Sequence, residues 1–248
     1  MTDARTNLIY GIHAVESALS GNIRSLRQLL VREDKQNQRL QTLVASAKQK
    51  SIPISLVSGK ELDEMFDGAH QGVIAHCDAL PEYSERDLES LLGTRADPLL
   101  LVLDGVTDPH NLGACMRSAA AAGVIAVVVP KDNSAPLSPV AIKAASGGVE
   151  RVPLVRVTNL ARFLKSLTKN GFWITGAVGE AEKSVFQADL SGPRVLVMGS
   201  EGKGLRRLTR ENCDELVQIP MAGGMESLNV SVATGVCLFE AVRQRKNG

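Results

Sequence analysis

The 248-residue sequence predicts an α/β protein of two units, a small one followed by a larger one built on a parallel sheet. Three observations carry this. Near-continuous apolar runs, "PLLLVLDG" from Pro98, "VIAVVVP" from Val124 and "RVLVMG" from Arg194, mark strands buried on both faces of a parallel sheet. Helical patterns fill intervals between them, as crossover connections require. An acidic stretch with Pro81 and no sustained strand pattern, "CDALPEYSERDLESLLGTRAD" from Cys77 to Asp97, sets these runs apart from an earlier group of shorter elements. The expected division is therefore 1–76 for the small domain, 77–97 for an acidic linker with a short helix, and 98–248 for the larger domain.

In the first domain "NLIYG" and "SLRQLLV" are expected strands around the helix "IHAVESALSG", which Gly21 ends. "QRLQTLVASAKQK" has the apolar spacing of an amphipathic helix and "IPISLV" that of a strand. Ser58 and Glu61 form an S-x-x-E capping box for a short helix before the strand "QGVIAHC". In the larger domain "LGACMRSAAAAG" is a small-residue helix stopped by Gly123. It is followed by the strands "VIAVVVP" and "VPLVRV", the helix "NLARFLKSLTKNG" capped by Thr158, the strands "FWITGA", "RVLVMG" and "LVQIP", and a last helix from about Leu228 to Arg245.

A formal net charge of +1 hides a partition. Residues 1–50 carry 8 Lys/Arg against 4 Asp/Glu, and residues 51–100 carry 3 against 10. A local basic surface for nucleic acid is thus compatible with a neutral total. Cys77, Cys115, Cys213 and Cys237 stand far apart without C-x-x-C spacing and are expected to be reduced thiols of a cytoplasmic protein. The start lacks a long apolar run and no segment is long enough to span a bilayer, so no membrane association is expected. His13, His70, His76 and His110 offer no ligand spacing with a cysteine, and no metal is expected. Eight aromatic residues argue against an extended base-stacking platform.

Chemistry concentrates at three strand ends. "VLVMGSEGKGLRRL" runs a strand into Gly199, Gly202 and Gly204, at relative positions 1, 4 and 6, whereas a dinucleotide loop needs 1, 3 and 6. Position 3 is Glu201, which would repel a pyrophosphate, and Leu205 stands where a Walker loop needs Lys-Ser/Thr. Two readings remain: a close-approach site for a ligand, or a glycine-rich turn with Glu201 solvated. "VLDGVTDPHNLGACMRSA" places Asn111 at a helix entrance and Arg117 nearly two turns in, among Ala, Gly and Ser. "IPMAGGMESLNVSVATG" places Ser227 and Asn229 at the start of an apolar helix, where such residues ordinarily cap. The basic run "KGLRRLTR" is either a solvated face or a track for phosphates.

Three motifs in this order, N-x5-R at Asn111 to Arg117, G-S-E-G at Gly199 to Gly202, and I-P-M at Ile219 to Met221 with S-L-N at Ser227 to Asn229, resemble the SpoU (TrmH) family of the SPOUT RNA methyltransferases. "IYGIHAVESAL" and "AHQGVIA" look like that family's N-terminal substrate-binding domain of ribosomal-protein L30e type, so the resemblance extends over nearly the whole chain. Within the family it is greatest to members that methylate a guanosine 2′-hydroxyl in bacterial 23S rRNA. The resemblance implies a parallel-sheet SPOUT domain with a C-terminal trefoil knot, an exception to unknotted connections. It also implies a homodimer with its active site at the interface, S-adenosyl-L-methionine as methyl donor, and 23S rRNA or a large-subunit precursor as substrate. Carried over residue by residue, Gly199, Ile219, Met221 and Leu228 contact the cofactor. Arg117 is the principal catalytic group, and Asn111, Glu201, Ser227 and Asn229 orient it and the ribose. Two roles stay open for Arg117: the general base that the family proposal makes it, or a clamp for an RNA phosphate, since a guanidinium is a planar fork of donors with no acceptor. A tRNA 2′-O-methyltransferase and a non-catalytic RNA-binding assembly factor are the alternative functions; the N-terminal domain speaks for rRNA and the intact motifs for catalysis.

Overall fold

A computed structural model of the chain describes residues 8–34, 37–93 and 95–247. Two compact units divide between Pro81 and Glu82. The first contains β1 (Leu8–Tyr10), α1 (Ile12–Ser20), β2 (Leu26–Arg32), α2 (Gln38–Gln49), β3 (Ile54–Val57), α3 (Gly59–Met65) and β4 (Val73–Cys77). Its sheet has the order β1-β4-β2-β3, with β4 antiparallel to both β1 and β2, and β3 parallel to β2. Strand alternation sorts the side chains of β2: Leu29 and Val31 join the core covered by α1 and α2, while Leu30 faces Leu62 of α3 on the other side. The expected capping box is formed, with Glu61 N–H donating to Ser58 Oγ at 3.3 Å and Ser58 N–H to Glu61 Oε2 at 2.8 Å. Those bonds from Ser58 hold the Glu61 carboxyl below its ordinary range.

The second unit is an eight-stranded sheet whose pairings are all parallel, in the order β10-β12-β9-β11-β6-β7-β8-β5. In chain order it comprises β5 (Tyr83–Ser84), α4 (Leu88–Leu92), β6 (Leu99–Asp104), α5 (Pro109–Ala121), β7 (Ala126–Pro130), α6 (Pro139–Ala145), β8 (Leu154–Val157) and α7 (Leu160–Lys169). The chain continues through β9 (Trp173–Ala177), β10 (Lys183–Ser184), β11 (Arg194–Gly199), α8 (Arg207–Arg210), β12 (Glu215–Gln218) and α9 (Val230–Asn247). Every residue of β6 and β7 is buried, which is why their sequences read as unbroken apolar runs. One face of the sheet is covered by α7, whose Leu160, Phe163, Leu164 and Leu167 recur at the i, i+3, i+4, i+7 spacing of one helical stripe. Elsewhere α5 packs against α6 and α9. A Cβ on Gly113 would lie 2.3 Å from Ala141 O, so glycine is what lets α5 and α6 approach.

Several local expectations change. The stretch expected as a linker carries order of its own: Cys77 ends β4, Tyr83–Ser84 pairs with β8 at the edge of the large sheet, and Leu88 enters the core. The cap of α7 is Asn159, which accepts from Arg162 N–H at 2.9 Å, rather than Thr158. The last helix begins at Val230 instead of Leu228, and α5 begins at Pro109, three residues before Leu112. Helix α6, seven residues long and starting at Pro139, is an element beyond those the sequence pattern marks.

From β6 the chain moves outward through β7 and β8, then crosses to the other side of β6 for β9 and β11. The loops that follow β6 and β11 therefore leave neighbouring strands in opposite directions. In open α/β sheets such a reversal opens a crevice at the carboxyl ends of the strands, which is where ligands bind.

Candidate active site

Three connections converge on that crevice. The first leads from β6 into α5. Asp108 is the N-cap, accepting from His110 N–H at 3.1 Å and Asn111 N–H at 3.3 Å, and Pro109 takes the first helical position where a missing N–H costs nothing. Asn111 is thus fixed at the third helical position, 9% exposed. The second connection follows β11 and folds back on itself: Ser200 N–H donates to Gly204 O at 3.1 Å and Gly204 N–H to Ser200 O at 2.9 Å. A Cβ on Gly199 would lie 2.2 Å from the Gly204 carbonyl carbon, so the loop closes this tightly only with glycine there. The third runs from β12 through Ile219, Met221, Ser227 and Leu228 to Asn229, immediately before α9.

Glu201 ties the three together. Its Oε1 accepts from Asn111 Nδ2 at 3.2 Å, from Asn229 Nδ2 at 2.6 Å and from Val230 N–H at 3.4 Å. Asn229 Nδ2 also donates to Asn111 Oδ1 at 2.9 Å. The oxygen of Asn229 meanwhile caps α9, accepting from Ser231 N–H at 2.9 Å and Ser231 Oγ at 2.6 Å. Because a backbone N–H can only donate, it fixes which end of the amide is oxygen, and the nitrogen must face Glu201. Capping and site-building are therefore done by opposite ends of one side chain.

Beside this cluster lies a cavity of about 590 Å³ walled by residues 177–180, 198–205, 218–219, 221 and 225–228 together with Arg210, Val230 and Ala233. Gly199, Ile219, Met221 and Leu228, the four residues expected at the cofactor, all line it, as do Glu201 and Ser227. Asn111 and Asn229 do not line it; they brace Glu201. Arg117 is in neither group. It is exposed on α5, six residues beyond Asn111 and so about 240° further round the helix, and its side chain has no hydrogen bond or ion pair among the described residues. Ser227 is exposed, and its hydroxyl likewise has no bond among them.

Some polar groups of the site were not singled out in the sequence. Asp104, at the end of β6, is buried and receives two hydrogen bonds from Arg206. At the cavity rim Arg210 Nη1 donates to Glu180 Oε1. With Arg207 paired to Glu211, each arginine of "KGLRRLTR" has a carboxylate partner, and this weakens the reading of the run as an open phosphate track. A polar residue at the end of an apolar strand was the available signal for Asp104. Cys115 lies near the cluster, and burial pushes its thiol up to about 11, with the Glu201 charge adding to the effect and a hydrogen bond to Thr234 Oγ1 opposing it. A thiol so held is not a nucleophile at neutral pH. Among the described residues no group of three or more His, Cys, Asp or Glu is placed to hold a metal ion, and no helix is long and apolar enough to cross a membrane.

Comparison with known proteins shows the family to which the chain belongs. The profile of the SpoU rRNA Methylase family matches residues 98–239, and that of the RNA 2′-O ribose methyltransferase substrate-binding domain matches residues 8–83. The chain is 54% identical over 239 residues to the 23S rRNA (guanosine-2′-O-)-methyltransferase RlmB of Pseudomonas putida, covering 96% of each chain. It is 52% identical over 241 residues to the protein of the same name from Escherichia coli, covering 97% of this chain and 99% of the other. Among solved structures, the SpoU methyltransferase AviRb of Streptomyces viridochromogenes in complex with AdoMet superposes with a TM-score of 0.75 at 26% identity, covering 97% of this chain and 91% of that one. The chain belongs to the SpoU rRNA methylase family.

Proposed function

We propose that the protein transfers the methyl group of S-adenosylmethionine to the 2′-hydroxyl of a guanosine in 23S rRNA or a large-subunit precursor, in the cytoplasm. The observation that carries this is the Asn111–Glu201–Asn229 cluster bracing one wall of the cavity at the strand ends. The cavity's size falls in the range of roughly 300–1,000 Å³ typical of small-molecule sites, and its mixture of apolar side chains and glycine-rich backbone suits a nucleoside. Gly199, Ile219, Met221 and Leu228 would hold the cofactor. When bound, S-adenosylmethionine supplies a methyl group on a sulfonium, ready for in-line displacement.

The chain's own residues then align the hydroxyl and stabilise charge. Only Oε1 of Glu201 is engaged among the described residues, so Oε2 is available to accept from a ribose or cofactor hydroxyl. Ser227, on the cavity wall, is available in the same way. Arg117, exposed and offering only donors, suits the clamp role: it grips the RNA phosphate and fixes the ribose, while the hydroxyl proton leaves to water or phosphate. Alignment of this kind can lower a barrier by about 7–11 kcal/mol in the best cases.

The same reading makes the protein a homodimer. Its support is the isolation of Arg117 together with the exposed apolar face of α9, where Val232 (52% exposed) and Phe239 (50%) stand two turns apart. Arg117 of one copy would complete the cluster of the other. The reading also includes an L30e-like RNA-binding role for the first unit and a trefoil-knotted C-terminal segment, the latter supported by the return of α9 from the β12 loop to pack on α5 and β11. Labelled S-adenosylmethionine incubated with rRNA and tRNA from cells lacking the gene tests the function. Label at one guanosine of 23S rRNA is expected; label in tRNA alone would overturn the rRNA assignment, and no label in either would leave an RNA-binding factor.

A further inference from the structure

Asp104 ends β6, Gly199 ends β11, and the two are register partners in the sheet. From Gly199 the chain leaves the sheet, closes through the paired Ser200 and Gly204 bonds, and re-enters the core at Leu205, which is 9% exposed. The next residue returns to Asp104: Arg206 N–H donates to Oδ2 at 3.0 Å and Arg206 Nε to Oδ1 at 2.5 Å. Asp104 itself is 0% exposed. One residue thus meets the Glu201 loop at both ends, by strand pairing where the loop begins and by its carboxylate where the loop finishes. It also starts the connection through Gly105 and Asp108 that delivers Asn111.

We propose that Asp104 and Arg206 form a positioning clamp that sets the width of the Glu201 loop, and with it the shape of the cofactor cavity and the reach of Glu201 to Asn111 and Asn229. The pair touches no reacting atom. Its strength follows from burial: a carboxylate removed from water depends on its hydrogen-bonded cation, and taking the cation away leaves a buried charge uncompensated. Arg206, in a basic run beside the proposed RNA site, has a half-exposed side chain but commits its Nε and its backbone N–H to the buried Asp104 carboxylate, and is a positioning residue rather than a phosphate contact. The functional half of this inference rests on the S-adenosylmethionine reading; the structural half does not.

The test uses the full chain with Arg206→Ala and Arg206→Lys. In amide hydrogen exchange without ligand, Ser200 and Gly204 should exchange at least about tenfold faster in Arg206→Ala, as expected when a charge-assisted bond is lost, with Leu100 to Leu103 unchanged. Wild-type exchange at Ser200 and Gly204 would overturn the clamp. In calorimetric titration, Arg206→Ala should weaken S-adenosylhomocysteine binding by about tenfold and binding of an rRNA fragment by less than about twofold. Equal loss of RNA affinity, with a salt slope reduced by about one, would instead make Arg206 a phosphate contact. Arg206→Lys, which keeps a cation near Asp104, should shift both readouts in the same direction by less, and serves if the alanine variant does not fold. If the exchange result holds while the unaltered protein binds no S-adenosylhomocysteine, the clamp stands and the cofactor reading falls.

Discussion

Helix α5 carries two proposed site residues into opposite circumstances. At its first turn Asn111 is buried, bonded to Glu201 and Asn229, and fixed by the Asp108 cap. Nearly two turns later Arg117 is exposed and unpartnered among the described residues. Bonding, though not burial, likewise separates Glu201 and Asn229 from Ser227: all three are exposed, but the first two are bonded to each other and the third has no partner among the described residues. One set of groups is positioned by the fold of a single chain, so its members support one another and contribute to stability. In the proposed reading the other set is left open for partners that arrive from outside, with the RNA and with a second copy of the chain. A site divided in this way should respond to substitution in two distinct ways.

The largest effect is expected at the open end. Arg117→Ala should lower turnover by about 10²-fold or more, the usual result of losing the alignment of a reacting group. S-adenosylhomocysteine affinity and melting temperature should stay as they are, since exposed positions without partners contribute little to stability. Coupled loss of cofactor binding would break the contrast by placing Arg117 in the preformed half. Glu201→Gln should act at both levels. Turnover is expected to fall by about ten- to a hundredfold and cofactor affinity by about tenfold, because three donors now share a neutral amide oxygen while an N–H replaces the free acceptor Oε2. The melting temperature should fall with them; an unaltered melting curve would show that the cluster does not stabilise the fold. The smallest effect belongs to Ser231→Ala. It removes one of the two bonds to the Asn229 oxygen and leaves the backbone bond, so turnover should change by about twofold at most. A larger loss would mean that the hydroxyl, rather than the backbone N–H, sets the amide.

What the sequence disclosed and what it withheld have physical causes. The runs ending at Asp104, Pro130 and Gly199 were readable because strands buried on both faces admit few polar residues. The three motifs were readable because each lies next to a strand end. Two-residue strands such as Tyr83–Ser84 have no period to detect, and α6 occupies only seven residues after a proline-rich connection. Asp104 with Arg206 stands 102 positions apart, a separation that no local pattern bridges. Asn229 looked like a helix cap and is one; only coordinates show that the other end of its amide faces Glu201. The exposure of Arg117 was equally hidden, because its neighbours on α5 are small and give no hint of which side they face.

The division of the site is tested most directly by mixing the two defects. Arg117→Ala and Glu201→Gln chains, each expected at no more than about a tenth of normal turnover, are co-expressed in equal amounts and assayed for methyl transfer to rRNA. If Arg117 serves the cluster of the other copy, half of the dimers are mixed and each has one intact site, so activity should recover to about a quarter of normal. Activity that stays at the level of the separate variants would contradict the account and place Arg117 at the cluster of its own chain.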